Sequence, residues 1–244
     1  MKREYDDEQD IVDHAADIDD ADVCFYPAES TLAHRFLSAL RAGGFDKRER
    51  PDFEDNGASL LLEAMRVDDH AGSGKKDKTR AREAALLREI EAAGLDVPPD
   101  VRVLALADSG LPAGRDHSYQ AYVQHFTSTV SQHARNAEIY RAERQGHDLG
   151  FIVFDESTSY FEGLGAFGRP GAGRLHVWFN DSVFVDAILQ SGADCVFWMA
   201  PYKRLDTIQT GVVPLPAMTV IDVALLSRPE RVVYDPGRMV SSED

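Results

Sequence analysis

The sequence predicts a single α/β domain, a mixed central sheet flanked by helices, over residues 23–240 behind an acidic arm of residues 1–22. Two observations carry that expectation. Helical stretches alternate with short apolar runs, the pattern of a sheet covered on both faces. The 244 residues are also 43% hydrophobic and 28% charged, enough apolar matter for one sizeable core in a water-soluble fold.

Each element has its own signal. Residues 23–45, VCFYPAESTLAHRFLSALRAGGF, read as a short strand and then a helix. Ser30 or Thr31 caps that helix, Leu32, Phe36, Leu37 and Leu40 form its stripe, and Gly43-Gly44 ends it. Pro51-Asp52-Phe53 then leads through an Asn56-Gly57 turn into a strand from Leu60 to Val67. A Gly/Lys loop precedes a helix closed by Gly94, and Val101 to Ala107 is an apolar strand. A long, mostly polar helix starts near Ser118. Beyond it come strands GFIVFD and RLHVWF, a helix VFVDAILQSG, a strand CVFWMA, and strands within TGVVPL and MTVIDVALL, a strand-rich C-terminal extension. Residues 163–173, GLGAFGRPGAG, form a flexible loop between strands.

Composition narrows the classes of function. No apolar run approaches the ~20 residues that span a bilayer, and the acidic amino terminus lacks the apolar stretch of a secretory leader. Cys24 and Cys195 are far apart and without CxxC spacing, so neither a zinc site nor a disulfide framework is indicated and a reducing cytoplasm is the expected compartment. Half of the net charge of −16 lies in residues 1–22, where ten acids face only Lys2 and Arg3. Such a block reads as a solvated, disordered arm, or else as an acidic mimic of nucleic acid. The remaining charge opposes tight binding to a phosphate backbone unless a local basic patch overcomes it.

The strand LLLEAMRV poses the chemical question. With side chains alternating between faces, Leu61, Glu63, Met65 and Val67 share one face, so Glu63 projects among apolar neighbours. A lone buried carboxylate costs several kcal/mol and must be paired, protonated or bound to a cation. Asp52 lies across the turn and can converge on Glu63; at ~4 Å the repulsion between two carboxylates is about 1–4 kcal/mol. A divalent cation removes it, and an oxygen-rich site suits Mg²⁺ or Mn²⁺. The other reading is a basic partner for Glu63. Arg66 is a poor one, since it points to the opposite face.

A helix with a glutamate beside it, then Pro-Asp, a turn, an apolar strand carrying an acid, a helix and another apolar strand: this order resembles the PD-(D/E)XK nuclease superfamily. The resemblance covers about residues 25–108, with Pro51-Asp52 and Glu63 as the two half-motifs and Glu29 as a third acid. It implies a restriction-endonuclease-like core and, in active members, metal-dependent phosphodiester hydrolysis with Asp52 and Glu63 as Mg²⁺ or Mn²⁺ ligands. The sequence departs from the pattern at Met65, where the superfamily usually has lysine. Methionine can neither orient water nor offset developing negative charge, a contribution of about 3–4 kcal/mol. Two readings remain open. In one, Lys78 or Arg82 leans back from the next helix as a displaced cation, and Lys75, Lys76, Arg80 and Arg82 receive nucleic acid. In the other, the site is catalytically inactive and the fold serves protein binding, assembly or homo-oligomer formation.

Other motifs imply less. DHAGSGKK departs twice from a phosphate-binding GxxxxGK[ST] loop, which leaves Asp155 and Glu156 as the end of a core strand or the rim of the cleft. His117, His125 and His133 recur every eight residues, and eight residues advance a helix about 80° beyond two turns. They share no face, and no metal site follows. Trp178, Phe179, Phe197 and Trp198 read as core, and Lys203 ends a strand where it reaches either a cleft or solvent.

Overall fold

Why two layers of helix are needed follows from the strands. Residues 8–70, 117–163, 173–203 and 215–242 are described by a computed structural model of the chain. Strands β4 (Leu60–Val67), β5 (Asp148–Asp155), β8 (Cys195–Met199) and β9 (Met218–Asp222) are buried along almost their whole length. With β1 (Val23–Tyr26), β2 (Asp46–Lys47) and β3 (Phe53–Asp55) they form a seven-stranded sheet ordered β1-β9-β8-β5-β4-β3-β2. The sheet is mixed. β2, β3 and β4 run as an antiparallel meander, β4, β5 and β8 are mutually parallel, β9 is antiparallel to β8, and β1 is parallel to β9.

Helices α1 (Glu8–Asp17) and α2 (Thr31–Arg41) cover one face, packing Ile11, Val12, Phe36, Leu37 and Leu40 against Leu60, Leu62, Ile152, Phe154 and Phe197. Ser30 accepts the Ala33 N–H at 3.0 Å and starts α2, the expected capping role. Helices α3 (Tyr119–Glu143) and α4 (Ser182–Leu189) cover the other face, against Leu61, Met65, Val67, Phe151, Val153 and Trp198. The two-residue alternation of β4 therefore holds: Glu63 points to the α3 side in one row with Leu61, Met65 and Val67. Arg66 points to the opposite side, where it pairs with Glu156 at 3.6 Å and lies over Phe154. At Gly150, a Cβ would meet the buried Phe36 ring of α2 at 2.7 Å.

A smaller antiparallel sheet, β10 (Met239–Ser241), β6 (Tyr160–Glu162) and β7 (Arg174–Leu175), closes one end. The expected strand RLHVWF extends only through Leu175. A 3-10 turn at Trp178–Asn180 then drops the fully buried Trp178 beside Trp198. Cys24 and Cys195 are free thiols. Among the described residues no helix is long and apolar enough to cross a membrane. The expected helix ending at Gly94, the strand Val101–Ala107, the TGVVPL strand up to Pro214 and residues 164–172 of the loop lie outside the described residues.

The acidic arm departs from expectation. From Glu8 onward it forms α1, which packs on α2 and reaches β4 and β5. The physical reason is a sparse stripe, Ile11, Val12 and Ala15, hidden among acids that occupy the solvent side. Replacing Ile11, 2% exposed, by alanine is expected to lower unfolding free energy in urea by about 2–4 kcal/mol; an unstructured arm would give no change. Gly150→Ala should cost about 1–3 kcal/mol in the same measurement through overpacking against Phe36.

Candidate functional site

The meander brings the two acids of the sequence motif together. β3 and β4 pair with Phe53 opposite Leu62, so Asp52, one residue before the ladder, falls opposite Glu63 and on the same face. Asp52 Oδ2 accepts the Ala64 N–H at 2.8 Å. Burial pushes its carboxyl up to about 6; the Ala64 hydrogen bond opposes that, and the charge of Glu63 adds to it. Glu63 is met from above by α3. His133 Nδ1 lies 2.8 Å from Glu63 Oε2. Burial first, then the nearby Glu63 carboxylate, holds the Tyr140 phenol well above its usual range. Two residues along, Glu54 is 1% exposed and neutralised by Arg48 and Arg144.

The other motif residues are distributed differently. Met65 is 3% exposed and packed in the core under α3. Glu29 stands apart: it lies between β1 and α2, exposed, with His34 Nε2 at 3.1 Å. β1 is four places from β4 in the sheet, roughly 19 Å at the ~4.8 Å strand spacing, so the order of elements along the chain did not translate into proximity. Lys75, Lys76, Lys78, Arg80 and Arg82 lie outside the described residues.

A second polar concentration, of which the sequence offered only Asp155 and Lys203 singly, sits at the carboxyl ends of β4, β5 and β8, the end of a parallel sheet where ligands are usually held. Asp155, the last residue of β5, is fully buried. Its Oδ2 accepts from Tyr122 at 2.5 Å and from the Trp198 indole at 2.9 Å, and its Oδ1 accepts the N–H and hydroxyl of Ser157. Lys203 does not reach solvent. It is 1% exposed, with Nζ 3.1 Å from Asp155 Oδ2, 3.0 Å from the Tyr122 oxygen and 5.1 Å from the Trp178 ring centroid. Burial lowers its pKa, and Asp155 opposes that shift. Beside them Tyr119 and His176 share Asp181 Oδ2, at 2.5 and 2.9 Å.

Asp69, just past β4, accepts from His117, Tyr160 and Thr158. Burial would push its carboxyl up, but His117 and these donors together hold it below the usual carboxylate range. His125 Nδ1 lies 2.6 Å from Asp68 Oδ1, and that hydrogen bond raises the imidazole pKa. All three histidines set aside on spacing thus meet an acid. The three share no face, as their spacing indicates, and each is answered separately. Their partners come from different points, Glu63 within β4 and Asp68 and Asp69 beyond it, so no shared face is required. The signal that finds His133 is the buried stripe of α3, Tyr119, Tyr122, Phe126, Val130, Ala137 and Tyr140, whose 3.6-residue period passes through position 133.

Fold and site together define a class, an α/β protein with a mixed seven-stranded sheet and acids paired beneath one long helix. The chain matches no family model, no curated protein and no solved structure.

Two outcomes follow from the electrostatics. A carboxyl with a folded pKa of about 6 against 3.8 holds its proton more tightly in the folded chain, so its contribution is full below about pH 4 and is lost as pH rises toward 6. Two pKa units correspond to about 3 kcal/mol, which partial solvent screening reduces to about 1–2. Asp52→Asn should therefore raise urea stability by that amount at pH 8 and leave it unchanged at pH 4. Lys203→Met should cost about 3 kcal/mol at pH 7, because it strands the charge of Asp155 in the core.

Proposed function

We propose that this chain is a metal-dependent nuclease-like protein of the PD-(D/E)XK type, hydrolysing phosphodiesters of nucleic acid with Asp52 and Glu63 as cation ligands. The observation that carries the reading is the apposition of Asp52 and Glu63 across β3 and β4, with the Asp52 carboxyl pushed up to about 6. A carboxylate destabilised by burial, with a second acid beside it, is what an incoming Mg²⁺ or Mn²⁺ relieves. The antiparallel meander, with β5 laid parallel beside its last strand, is also a mixed sheet flanked by helices of the kind the resemblance implies.

The residues fit the group by the chemistry of the donor set, carboxylate oxygens suited to a hard cation. When bound, the cation would activate water and offset charge developing on the phosphate. Asp52 and Glu63 would hold it. His133 fixes the Glu63 carboxylate in one orientation, and Ala64 N–H fixes that of Asp52. The cation missing at Met65 would come from the Lys78 and Arg82 region, whose basic side chains would also receive the substrate backbone.

A catalytically inactive protein of the same fold, binding a protein or nucleic acid partner, is the second reading. It is favoured by the core position of Met65 and by the partner that Glu63 already has in His133. Cleavage of single- and double-stranded DNA and RNA with Mg²⁺ or Mn²⁺ separates the two. Activity in the wild type, reduced at least ~100-fold in Glu63→Ala, is the expected result. Equal activity in both preparations would mark a contaminant and remove Glu63 from the role. No cleavage, together with no heat of Mn²⁺ binding in calorimetry, selects the inactive reading.

A further inference from the structure

We propose that Asp69, His70 and His117 form a binding site for a divalent transition-metal cation of the zinc class, at the carboxyl end of β4 and separate from the Asp52–Glu63 pair. Among the described residues this is the group of three ligating side chains whose donor atoms all lie within 4.8 Å of one another. Asp69 and His70 are consecutive, and His117 stands immediately before the cap of α3. The Ser118 N–H donates to the Asp69 carbonyl at 2.9 Å, so the backbone itself fixes the approach of the two segments.

The carboxylate is held as a ligand is held. Asp69 is fully buried, and its Oδ2 accepts from the Thr158 N–H at 3.0 Å, the Thr158 hydroxyl at 3.1 Å and the Tyr160 hydroxyl at 2.6 Å. Thr158 is anchored in turn on Ser241 at 3.0 Å. Oδ2 is thereby committed to protein donors, and Oδ1 faces His117 Nδ1 at 3.1 Å. Such an outer shell orients a metal-binding carboxylate and sets its basicity. The two imidazoles are half-buried, with ring centroids 5.4 Å apart.

Two imidazoles and one carboxylate select Zn²⁺, Co²⁺ or Ni²⁺ over Mg²⁺, which prefers an all-oxygen shell. Three protein ligands also leave a coordination position open for a small anion or water. Asp69 lies past the end of β4, whose last residue, Val67, is already roughly 13 Å along the strand from Glu63. The two sites therefore differ in place and in the hardness of the ion they take.

Titration of the full chain with Co²⁺, followed by visible absorption and by calorimetry, is the test. One equivalent is expected to bind with a visible ligand-field band, to be displaced by Zn²⁺ and to survive excess Mg²⁺. His70→Ala and His117→Ala should each weaken binding at least ~10-fold, and Tyr160→Phe, which removes a donor from Oδ2, by a comparable or smaller factor. Glu63→Ala should leave Co²⁺ affinity unchanged. His70 is partly exposed, so its variant retains the fold, checked by thermal melting, and decides the matter if His117→Ala does not fold. No band with the wild-type chain, or binding that His70→Ala leaves unchanged, overturns the proposal and reduces His117–Asp69 to an ion pair.

Discussion

Strands covered on both faces leave no water for the charges they carry, and the acids buried on β3, β4 and β5 and just past β4 must be supplied with partners from within the protein. That constraint organises the molecule. Glu54 takes Arg48 and Arg144; Glu63 takes His133; Asp155 takes Lys203, Tyr122 and Trp198; Asp69 takes His117, Tyr160 and Thr158. Asp52, with a backbone N–H and an acidic neighbour, is compensated less, and its raised pKa is the consequence.

One helix delivers much of this compensation. From its start to its cap, α3 sends Tyr119 to Asp181, Tyr122 to Asp155, His125 to Asp68, His133 to Glu63, and Arg144 to Glu54. A helix of this length that is mostly polar would be a poor cover for an apolar sheet. It is a suitable cover for a sheet whose apolar rows are interrupted by carboxylates. Its aromatic residues serve twice, burying ring area against Phe184 and Trp198 and donating a hydroxyl where one is needed. Buried polar networks of this kind hold their members in one arrangement because any displaced group loses its hydrogen bonds at several kcal/mol. Side chains held in such a network are preorganised.

Much of the fold was legible because it rests on short-range pattern. The two-residue alternation of LLLEAMRV assigned Glu63 and Arg66 to opposite faces, and Ser30 announced the start of α2. The apposition of Asp52 and Glu63 was legible too, since a hairpin fixes register locally. α1 was not. Ten acids in the first 22 residues concealed a stripe of three small or branched apolar residues, and composition outweighed period. RLHVWF misled because alternating apolar residues say that Trp178 and its neighbours are buried, and a tight turn buries them as well as a strand does.

The sequence by itself determined the central strands, their faces and the hairpin that sets two carboxylates side by side, because each depends on residues a few positions apart. Only the tertiary structure decided which group answers each buried charge. His133 and Glu63 are 70 residues apart, and Lys203 and Asp155 are 48. Nothing in local spacing encodes such pairs. They are fixed by how α3 lies across the sheet and by the cost of leaving a charge unpaired beneath it.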